Sequence, residues 1–263
     1  MGTPPVVLSI AGYDPSSGAG ITADIKTAAA HRCYAVTCMT AYTVQSTQGV
    51  FRVRALEPEL VSATLSALAD DVEISAVRIG MLGSGEVAAA LAEFLEKRRL
   101  PNVVLDPVIR SSSGTALLDE PGVDVLRTRL LPLSDVVTPN IFEAAALAQL
   151  GDFLLQSARP LADALHSLGA RAVVITGGDL APANDFLADY RSGRVETAMV
   201  PGEHIESRAT HGTGCAFATA LACRLALGDD LIQAVRAAKE YVRKAILSAY
   251  PLGKGIGPIN HFG

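Results

Sequence analysis

The sequence predicts a single α/β domain in which a mostly parallel central sheet carries helices on both faces. Short apolar runs alternate along the chain with longer segments of helical periodicity, and this alternation is typical of parallel sheets. Several of the short runs, such as 103–105, are apolar at every position, as strands that are buried on both faces require. A length of 263 residues allows one large core, so we expect the domain to span residues 1–263.

The individual elements follow from these patterns in chain order. The apolar run 6–11 ends in Gly12, and the β-branched run 34–44 gives a second strand. Pro58 suits the first turn of a helix, and two runs joined at Ser192-Gly193 predict a β-hairpin. The predicted strands are 6–11, 34–44, 76–79, 103–105, 135–138, 172–176, 186–190 and 195–200, and the predicted helices are 21–31, 58–70, 85–98, 123–131, 140–149, 161–168, 216–227 and 230–248.

The composition argues against several classes of function. The formal net charge is −5 and the lysines and arginines are not clustered, so nucleic acid is not expected as the principal partner. No apolar run approaches the roughly 20 residues of a membrane-spanning helix, and we expect no membrane association. The four cysteines include no CxxC pair and no zinc-finger spacing, which indicates reduced thiols and a cytoplasmic protein.

The stretch Thr210-His211-Gly212-Thr213-Gly214-Cys215-Ala216-Phe217 predicts an anion-binding helix start. A helix-forming run follows the two glycines, and the first N–H groups of a helix have no partner within it and favour phosphate. Gly212 and Gly214 allow the backbone to approach a ligand closely. Cys215 would lie in the first turn, where a helix N-terminus favours the thiolate. The same residues could also form only a tight entry into the helix.

Other polar or glycine-rich positions follow the ends of the predicted strands. The carboxyl ends of parallel strands meet at one edge of a sheet, where α/β proteins bind their ligands. Two common phosphate loops are absent, because the sequence has neither GxxxxGKS/T nor a GxGxxG after its first strand. We therefore expect one ligand site at this edge. The positions concerned are 12–20, Gln45, 80–81, 106–108, Asn140 and 177–178.

A set of motifs occurs in a characteristic order over nearly the whole chain. They are Ala11-Gly12-x-Asp14-Pro15-Ser16-x-Gly18-Ala19-Gly20 with Ala23-Asp24 and Lys26-Thr27, Gln45 with Thr47, Gly80-Met81-Leu82, Leu105-Asp106-Pro107-Val108, Thr138-Pro139-Asn140 with Glu143-Ala144, His211-Gly212-Thr213-Gly214-Cys215, and Gly255-Ile256-Gly257-Pro258-Ile259-Asn260-His261-Phe262. This combination resembles the hydroxymethylpyrimidine/phosphomethylpyrimidine kinases of thiamine biosynthesis, which belong to the ribokinase-like superfamily. The resemblance implies a ribokinase-like fold, phosphorylation by ATP of a pyrimidine hydroxymethyl group and then of its monophosphate, a need for Mg²⁺, and a homodimer.

For the phosphoryl donor, the resemblance implies that the glycine-rich loop binds the ATP phosphates. Thr213, with Gly212 and Gly214, would bind phosphate, and the backbone N–H groups would stabilise the charge on the transferring group. Cys215 stands where the superfamily usually has an aspartate base, and a thiol pKa lowered by the helix N-terminus would let it accept the hydroxyl proton. The other phosphate-binding positions implied are Lys239, which could instead lie on a solvated helix face, and Thr176.

For Mg²⁺, the resemblance implies Glu143 and Asp106. Glu143 follows Asn140 by three residues, as in the superfamily's Asn-x-x-Glu motif, and would organise the metal and its waters. The same spacing also fits a helix capping box. Asp106 ends a buried strand before Pro107, where ordinary turn chemistry is an equal alternative.

For the acceptor, the resemblance implies that Asp24, Val44, Gln45, Met81 and Val108 surround the aminopyrimidine. The Gln45 amide can both donate and accept, which suits an aminopyrimidine edge, and Asp24 could accept from the exocyclic amine or the hydroxymethyl group. Met81 and Val108 would form apolar walls for the ring. Taken singly, Met81 and Val108 could instead be core residues, and Asp24 a solvated acid at a helix start.

Two positions depart from the family pattern, and two other functions remain open. Thr176 stands where many relatives have lysine, which removes a cation near the phosphates, and Asp179 replaces a frequent histidine. A pyridoxal or pyridoxine kinase of the same superfamily is the first alternative, since its ring also carries a hydroxymethyl group. A catalytically idle vitamin-binding module is the second, although an intact 212–215 loop together with Glu143 argues against it.

Overall fold

The computed structural model describes residues 2–111, 113–150, 158–178 and 180–262, so Asp179 lies outside the described residues. The strands are β1 (Val6–Tyr13), β2 (Tyr34–Ser46), β3 (Gly49–Ala55), β4 (Ile74–Ile79), β5 (Val103–Leu105), β6 (Val136–Val137), β7 (Ala172–Ile175), β8 (Asp185–Asp189) and β9 (Glu196–Val200). The helices are α1 (Gly20–Ala30), α2 (Pro58–Asp71), α3 (Gly85–Lys97), α4 (Glu120–Val125), α5 (Leu131–Leu133), α6 (Ile141–Ala148), α7 (Ala158–Ser167), α8 (Thr213–Ala226) and α9 (Leu231–Leu247), with a π-helical segment (Leu126–Leu130) between α4 and α5.

These strands form one sheet in the order β3-β2-β1-β4-β5-β6-β7-β8-β9. The neighbours from β2 through β1, β4, β5 and β6 to β7 are parallel. At the two edges, β3 pairs antiparallel with β2, and β8 and β9 extend the sheet antiparallel from β7. The predicted α/β fold with a mostly parallel sheet is therefore confirmed, and β8 and β9 are the predicted hairpin.

Helices cover both faces of the sheet, and β1 shows why its residues are apolar at successive positions. Successive side chains of a strand point to opposite faces. Val7 belongs to the core that the sheet shares with α1, α8 and α9. Leu8 and Ile10 belong to the core that it shares with α2, α3, α6 and α7. All three side chains are fully buried, so a polar residue at any of these positions would lie in one of the two cores.

Strand β3 is the element that the sequence pattern did not predict. Its sequence places Arg52 and Arg54 between apolar residues, and Phe51 is exposed. The strand lies at the edge of the sheet, where one side has no neighbouring strand and a continuous apolar run is not required. It pairs with β2 between Ala41 and Ser46, and this hairpin carries the end of β2 to the edge of the sheet at which ligands were expected.

Candidate active site

The loop before α8 has the geometry of an anion site. Gly212 caps α8 with a φ of +84°, a left-handed conformation that favours glycine. A Cβ atom at Gly212 would overlap the carbonyl oxygen of Gly18, whereas a Cβ at Gly214 would meet nothing within 4 Å. The first N–H groups of α8 therefore face open space at a helix N-terminus, which is a favourable position for phosphate.

This loop opens onto a cavity of about 1720 Å³ at the carboxyl ends of the parallel strands. Its lining comes from segments far apart in sequence, which the sheet brings to one edge. The cavity contains every predicted site residue except Asp24 and Val44. Those present are Gln45, Met81, Asp106, Val108, Glu143, Thr176, Gly212, Thr213, Gly214, Cys215 and Lys239.

The pKa of the Cys215 thiol is raised, whereas the sequence predicts that it is lowered. Cys215 lies in the first turn of α8, half-buried at the floor of the cavity. Burial raises the pKa of the Cys215 thiol to about 11; the charge of Arg78 opposes this rise, and the carboxylates of Asp106 and Asp24 add to it. The expectation of a lowered thiol pKa is therefore wrong, because loss of hydration on burial outweighs the positive charge of Arg78. The thiol is protonated at neutral pH.

A buried arginine, which the sequence analysis did not single out, connects three of the predicted site residues. Arg78 on β4 has no exposed surface. Its guanidinium donates to Asp24 at 3.1 Å and to Asp106 at 2.6 Å, and it interacts electrostatically with Cys215. The only signal in the sequence is a charged residue within the mostly apolar strand Ile74–Ile79. Arg78 thus links the buried Asp24 to Asp106, which lines the cavity.

The position of Asp24 corrects its expected role. Asp24 is fully buried and does not line the cavity. Its carboxylate accepts hydrogen bonds from the hydroxyls of Ser9 and Thr219 as well as from Arg78. A carboxylate with these three donors, and with no solvent-accessible surface, is not available to an exocyclic amine in the cavity. Asp24 instead anchors Arg78 from below.

On the acceptor side of the cavity, Gln45 belongs to a polar network with His211 and Asp14. The Asp14 carboxylate lies 2.8 Å from Nε2 of His211. Burial alone would raise the pKa of Asp14, but hydrogen bonds from His211 and Ser16 outweigh it and hold the pKa below its usual value. Because an ionised Asp14 can only accept, Nε2 of His211 must carry the proton.

That proton determines which way the Gln45 amide faces. Nε2 of Gln45 lies 3.1 Å from Nε2 of His211, which would set two N–H groups against each other. Because the two ends of an amide are assigned from their partners, the amide oxygen is the end that faces His211, and it shares the Nε2 proton with the Asp14 carboxylate. The amide nitrogen then takes the position that lies 3.1 Å from Oγ1 of Thr43, and it donates to that oxygen. The Thr43 hydroxyl in turn donates to the Tyr13 carbonyl.

The position of Val44 also differs from the expectation, for a reason set by strand geometry. Side chains of a strand alternate between its faces. Gln45 and Thr43 line the cavity, so Val44 between them faces away from it, and 48% of its surface is exposed. Thr43, which the sequence analysis did not select, occupies the cavity face instead.

Met81 and Val108 form an apolar wall of the cavity. Both belong to a small cluster with Ala41 and Leu117, and both line the cavity. The two alternatives for these residues are thus compatible, since the side chains pack in a core and also line the cavity.

Lys239 is turned towards the cavity and is not on a solvated helix face. Its Nζ lies 2.8 Å from the Asp185 carboxylate and donates to the Ala183 carbonyl at 2.7 Å. The Asp185 carboxylate also accepts from the Gly177 N–H. Thr176 lines the same part of the cavity. One cation is therefore held in place near the position where the lysine of many relatives is missing.

Glu143 forms the capping box that its spacing from Asn140 allows. Asn140 Oδ1 accepts from the Glu143 N–H at 2.9 Å, and the Glu143 carboxylate accepts from the Asn140 N–H at 3.0 Å, which completes a capping box. Glu143 also lines the cavity. The residues that the structure describes contain no group of three or more His, Cys, Asp or Glu side chains suited to a metal ion. One or two carboxylates beside phosphates fit Mg²⁺, which takes the rest of its ligands from phosphate and water.

The model of the phosphomethylpyrimidine kinase family matches residues 14–260. The chain belongs to this family. Among the curated members is the hydroxymethylpyrimidine/phosphomethylpyrimidine kinase of Streptomyces coelicolor, which is 43% identical over 260 residues, covering 98% of this chain and 95% of the relative. The resemblance inferred from the motifs is confirmed.

Solved structures of two kinases are similar to this chain over most of its length. The phosphomethylpyrimidine kinase of Clostridium difficile 630 superposes with a TM-score of 0.80 at 32% identity, covering 92% of this chain and 99% of its own. The pyridoxal kinase of Bacillus subtilis in an ADP complex superposes with a TM-score of 0.87 at 32% identity, covering 98% of both chains. The fold alone therefore does not separate the two kinds of kinase.

Proposed function

We propose that this protein transfers the γ-phosphoryl group of ATP to the hydroxymethyl group of 4-amino-5-hydroxymethyl-2-methylpyrimidine, and then phosphorylates the monophosphate, as steps of thiamine biosynthesis. The observation that supports this most strongly is that an anion-binding helix start and an amide suited to an aminopyrimidine edge open onto one cavity. Membership of the phosphomethylpyrimidine kinase family relates both features to one phosphoryl-transfer reaction.

On the donor side, the ATP phosphates would bind at the N-terminus of α8. The backbone N–H groups of Gly212, Thr213, Gly214 and Cys215 would face the transferring phosphoryl group, whose charge is spread over its oxygens. Lys239, held by Asp185, would add a fixed cation beside the phosphates. Mg²⁺ would offset the phosphate charge when it is bound.

The metal would be held chiefly by Glu143. Its carboxylate is oriented by the capping box and lines the cavity. Asp106 also lines the cavity, but its carboxylate is already paired with Arg78. We therefore propose that Glu143 would be the stronger ligand for the metal, and that Asp106 would contribute negative charge beside it.

On the acceptor side, the ring would lie against Met81 and Val108 with its amino edge at Gln45. The oriented amide offers its oxygen from the His211 side and its nitrogen from the Thr43 side. A ring edge that carries an amine beside a ring nitrogen can match this arrangement in one register only. That register would direct the hydroxymethyl group to the anion loop.

Cys215 is the proposed acceptor of the hydroxyl proton, and the raised pKa of its thiol sets a condition on this role. Only the thiolate can take up a proton, and burial holds the pKa of the thiol at about 11. The active form would therefore be a small fraction of the free enzyme at neutral pH. A role as base therefore requires a rate that rises with pH below the pKa of the thiol.

Transfer from labelled ATP to a panel of acceptors tests the proposal. We expect product from the aminopyrimidine alcohol and from its monophosphate. Pyridoxal kinase activity is the second candidate, supported by the similarity to the pyridoxal kinase fold, and turnover of pyridoxal or pyridoxine alone would establish it. Binding of the ring without transfer would instead identify an idle vitamin-binding module.

We further propose that residues 1–263 act as one kinase domain in a cytoplasmic homodimer. The four cysteines are all free thiols, as expected in a reducing compartment. None of the helices in the described part of the chain is long and apolar enough to cross a membrane. Light scattering of the purified protein tests the assembly, and a mass of one chain, 27.3 kDa, would contradict the dimer.

A further inference from the structure

The segment near the C-terminus holds the turn between β2 and β3. Residues 254–258, which we call the C-terminal clamp, run past Thr47 in this turn. The N–H groups of Lys254 and Gly255 both donate to Oγ1 of Thr47 at 3.2 Å. The N–H of Ile256 donates to the Thr47 carbonyl at 2.8 Å. One threonine thus receives three successive backbone N–H groups, and its hydroxyl oxygen uses both lone pairs.

The same segment then reaches the anion loop. Gly257 accepts from the His211 N–H at 3.0 Å and donates to the Arg208 carbonyl at 2.8 Å. His211 and Pro258 form a parallel bridge. The C-terminal clamp is therefore a short backbone strut between the end of β2 and the loop that precedes Gly212.

The close approach depends on glycine. A Cβ atom at Gly255 would overlap the carbonyl oxygen of Thr47. Thr47, Gly255 and Ile256 all line the cavity. This gives a structural reason for the glycines near the end of the chain, which the donor and acceptor chemistry do not use.

The end of β2 needs such support. β2 pairs with β1 only as far as Tyr42, and beyond it the described strands offer β2 only β3 as a partner. Gln45 lies in this last part of β2, outside the parallel core. An edge hairpin without further contacts is easily displaced, and displacing it would move Gln45 relative to the anion loop.

We propose that Thr47 and the C-terminal clamp are positioning elements that set the spacing between the acceptor site at Gln45 and the phosphoryl site at Gly212–Cys215. This inference rests on the proposed kinase function. Phosphoryl transfer needs the acceptor oxygen in line with the leaving group. A misplacement of about 1 Å can lower the rate by about 10²-fold without weakening either substrate's own contacts. The clamp acts on alignment and makes no contact with the reacting atoms.

Two substitutions at Thr47 distinguish the effect of its hydroxyl group from the effect of its side-chain size. Thr47→Val keeps the shape but leaves two N–H groups without an acceptor, whereas Thr47→Ser keeps both lone pairs. We expect Thr47→Val to lower kcat by about 10- to 100-fold with the ATP dissociation constant unchanged. We also expect more ADP released per phosphorylated product, because water competes with a misaligned acceptor. Thr47→Ser should stay close to wild type in both respects.

Hydrogen exchange provides a readout that does not depend on turnover. The amides of Lys254 and Gly255, whose acceptor is the Thr47 hydroxyl, should exchange faster in Thr47→Val than in wild type or Thr47→Ser. Wild-type protein that shows no transfer would contradict the proposed function, whereas the exchange result would still decide whether the clamp holds the hairpin.

The positioning role would be overturned if Thr47→Val kept the wild-type kcat and the wild-type ratio of ADP to phosphorylated product. It would also be overturned if Thr47→Val and Thr47→Ser lost kcat equally. A thermal shift measurement monitors folding of each variant. If Thr47→Val does not fold, Gly255→Ala disrupts the same contact from the other chain segment, and the same kcat loss with unchanged ATP binding is expected. A Gly255→Ala protein with wild-type kcat would also overturn the role.

Discussion

Arg78 places a full positive charge inside the sheet. Its carboxylate partners, Asp24 and Asp106, are themselves buried, so the three charges depend on one another. Periodicity makes an arginine in an apolar strand conspicuous, but it cannot reveal partners 54 and 28 residues away in the sequence. For the same reason Asp24 could be predicted as a site residue from its motif, while its burial could not.

The interdependence of these charges makes Arg78 a stability determinant. Arg78→Met leaves two carboxylates without their cation, and breaking a buried pair in this way costs about 3–5 kcal/mol. Arg78→Lys keeps the charge and should lose less. Urea denaturation measures both variants. A value for Arg78→Met within about 0.5 kcal/mol of wild type, as for a surface substitution, would contradict the buried network.

Gln45 and its neighbour Val44 form a matched pair for testing ring recognition. Gln45→Ala removes hydrogen bonds to the ring edge, and an unpaired polar edge in a closed site costs about 1–3 kcal/mol. The acceptor KM should therefore rise more than the ATP KM. Val44→Ala, on the face turned away from the cavity, should change neither. Steady-state kinetics with each substrate varied in turn would exclude Gln45 from the acceptor site if both KM values rose equally.

The acidity of Cys215 gives a pH dependence with a definite sign. The pKa of the Cys215 thiol in the protein is about 11. If its thiolate is the base, the fraction of enzyme with the thiolate grows about tenfold per pH unit below that value. The kcat/KM should therefore rise steadily between about pH 7 and 9, since this parameter reports the free enzyme. A flat profile over this range would remove the thiolate from the mechanism.

Substitutions at Cys215 test the same role without changing the pH. Cys215→Ala should lower kcat by about 10²–10⁴-fold while ATP still binds, because the anion site is made of backbone. Cys215→Asp should recover part of the rate and Cys215→Ser should stay slow. Near-normal kcat in Cys215→Ala would mean that the anion loop and the metal carry the catalysis without a protein base.

At the level of secondary structure, the parallel strands could be predicted and β3 could not. The strands β4 and β5 are buried on both faces, so their sequences are mostly apolar, apart from Ser75 and Arg78 in β4, and they are followed by glycine and aspartate. β3 is an edge strand whose residues are partly exposed and include two arginines. The turn between β2 and β3 is also contacted at Thr47 by a distant part of the chain, which a local pattern does not contain.

The segment after β7 and helix α9 together form the proposed phosphate end of the site. Lys239 on α9 lies against Asp185 at the start of β8, while Thr176 after β7 replaces the lysine of many relatives. Thr176→Lys should tighten ATP binding through a charge-assisted contact, measured by isothermal titration. Unchanged or weaker binding would indicate that Lys239 already serves the same phosphate oxygen. Lys239→Met should then weaken ATP binding both in the otherwise wild-type protein and in the Thr176→Lys variant.

At the scale of the whole molecule, one sheet brings donor and acceptor groups from opposite ends of the chain to a single edge. Gln45 comes from the end of β2, and the 212–215 loop comes from the start of α8. Alternating strand and helix patterns were enough to predict this edge, because the carboxyl ends of parallel strands must meet there. The similarity to a pyridoxal kinase at this scale means that the fold alone does not determine the substrate.

The most direct test of the proposed function is a comparison of kcat/KM for 4-amino-5-hydroxymethyl-2-methylpyrimidine and for pyridoxal, measured with the same enzyme and ATP. We predict a higher value for the pyrimidine, and conversion of its monophosphate to the diphosphate in the same assay. An equal or higher value for pyridoxal, or no transfer to the pyrimidine, would contradict the assignment.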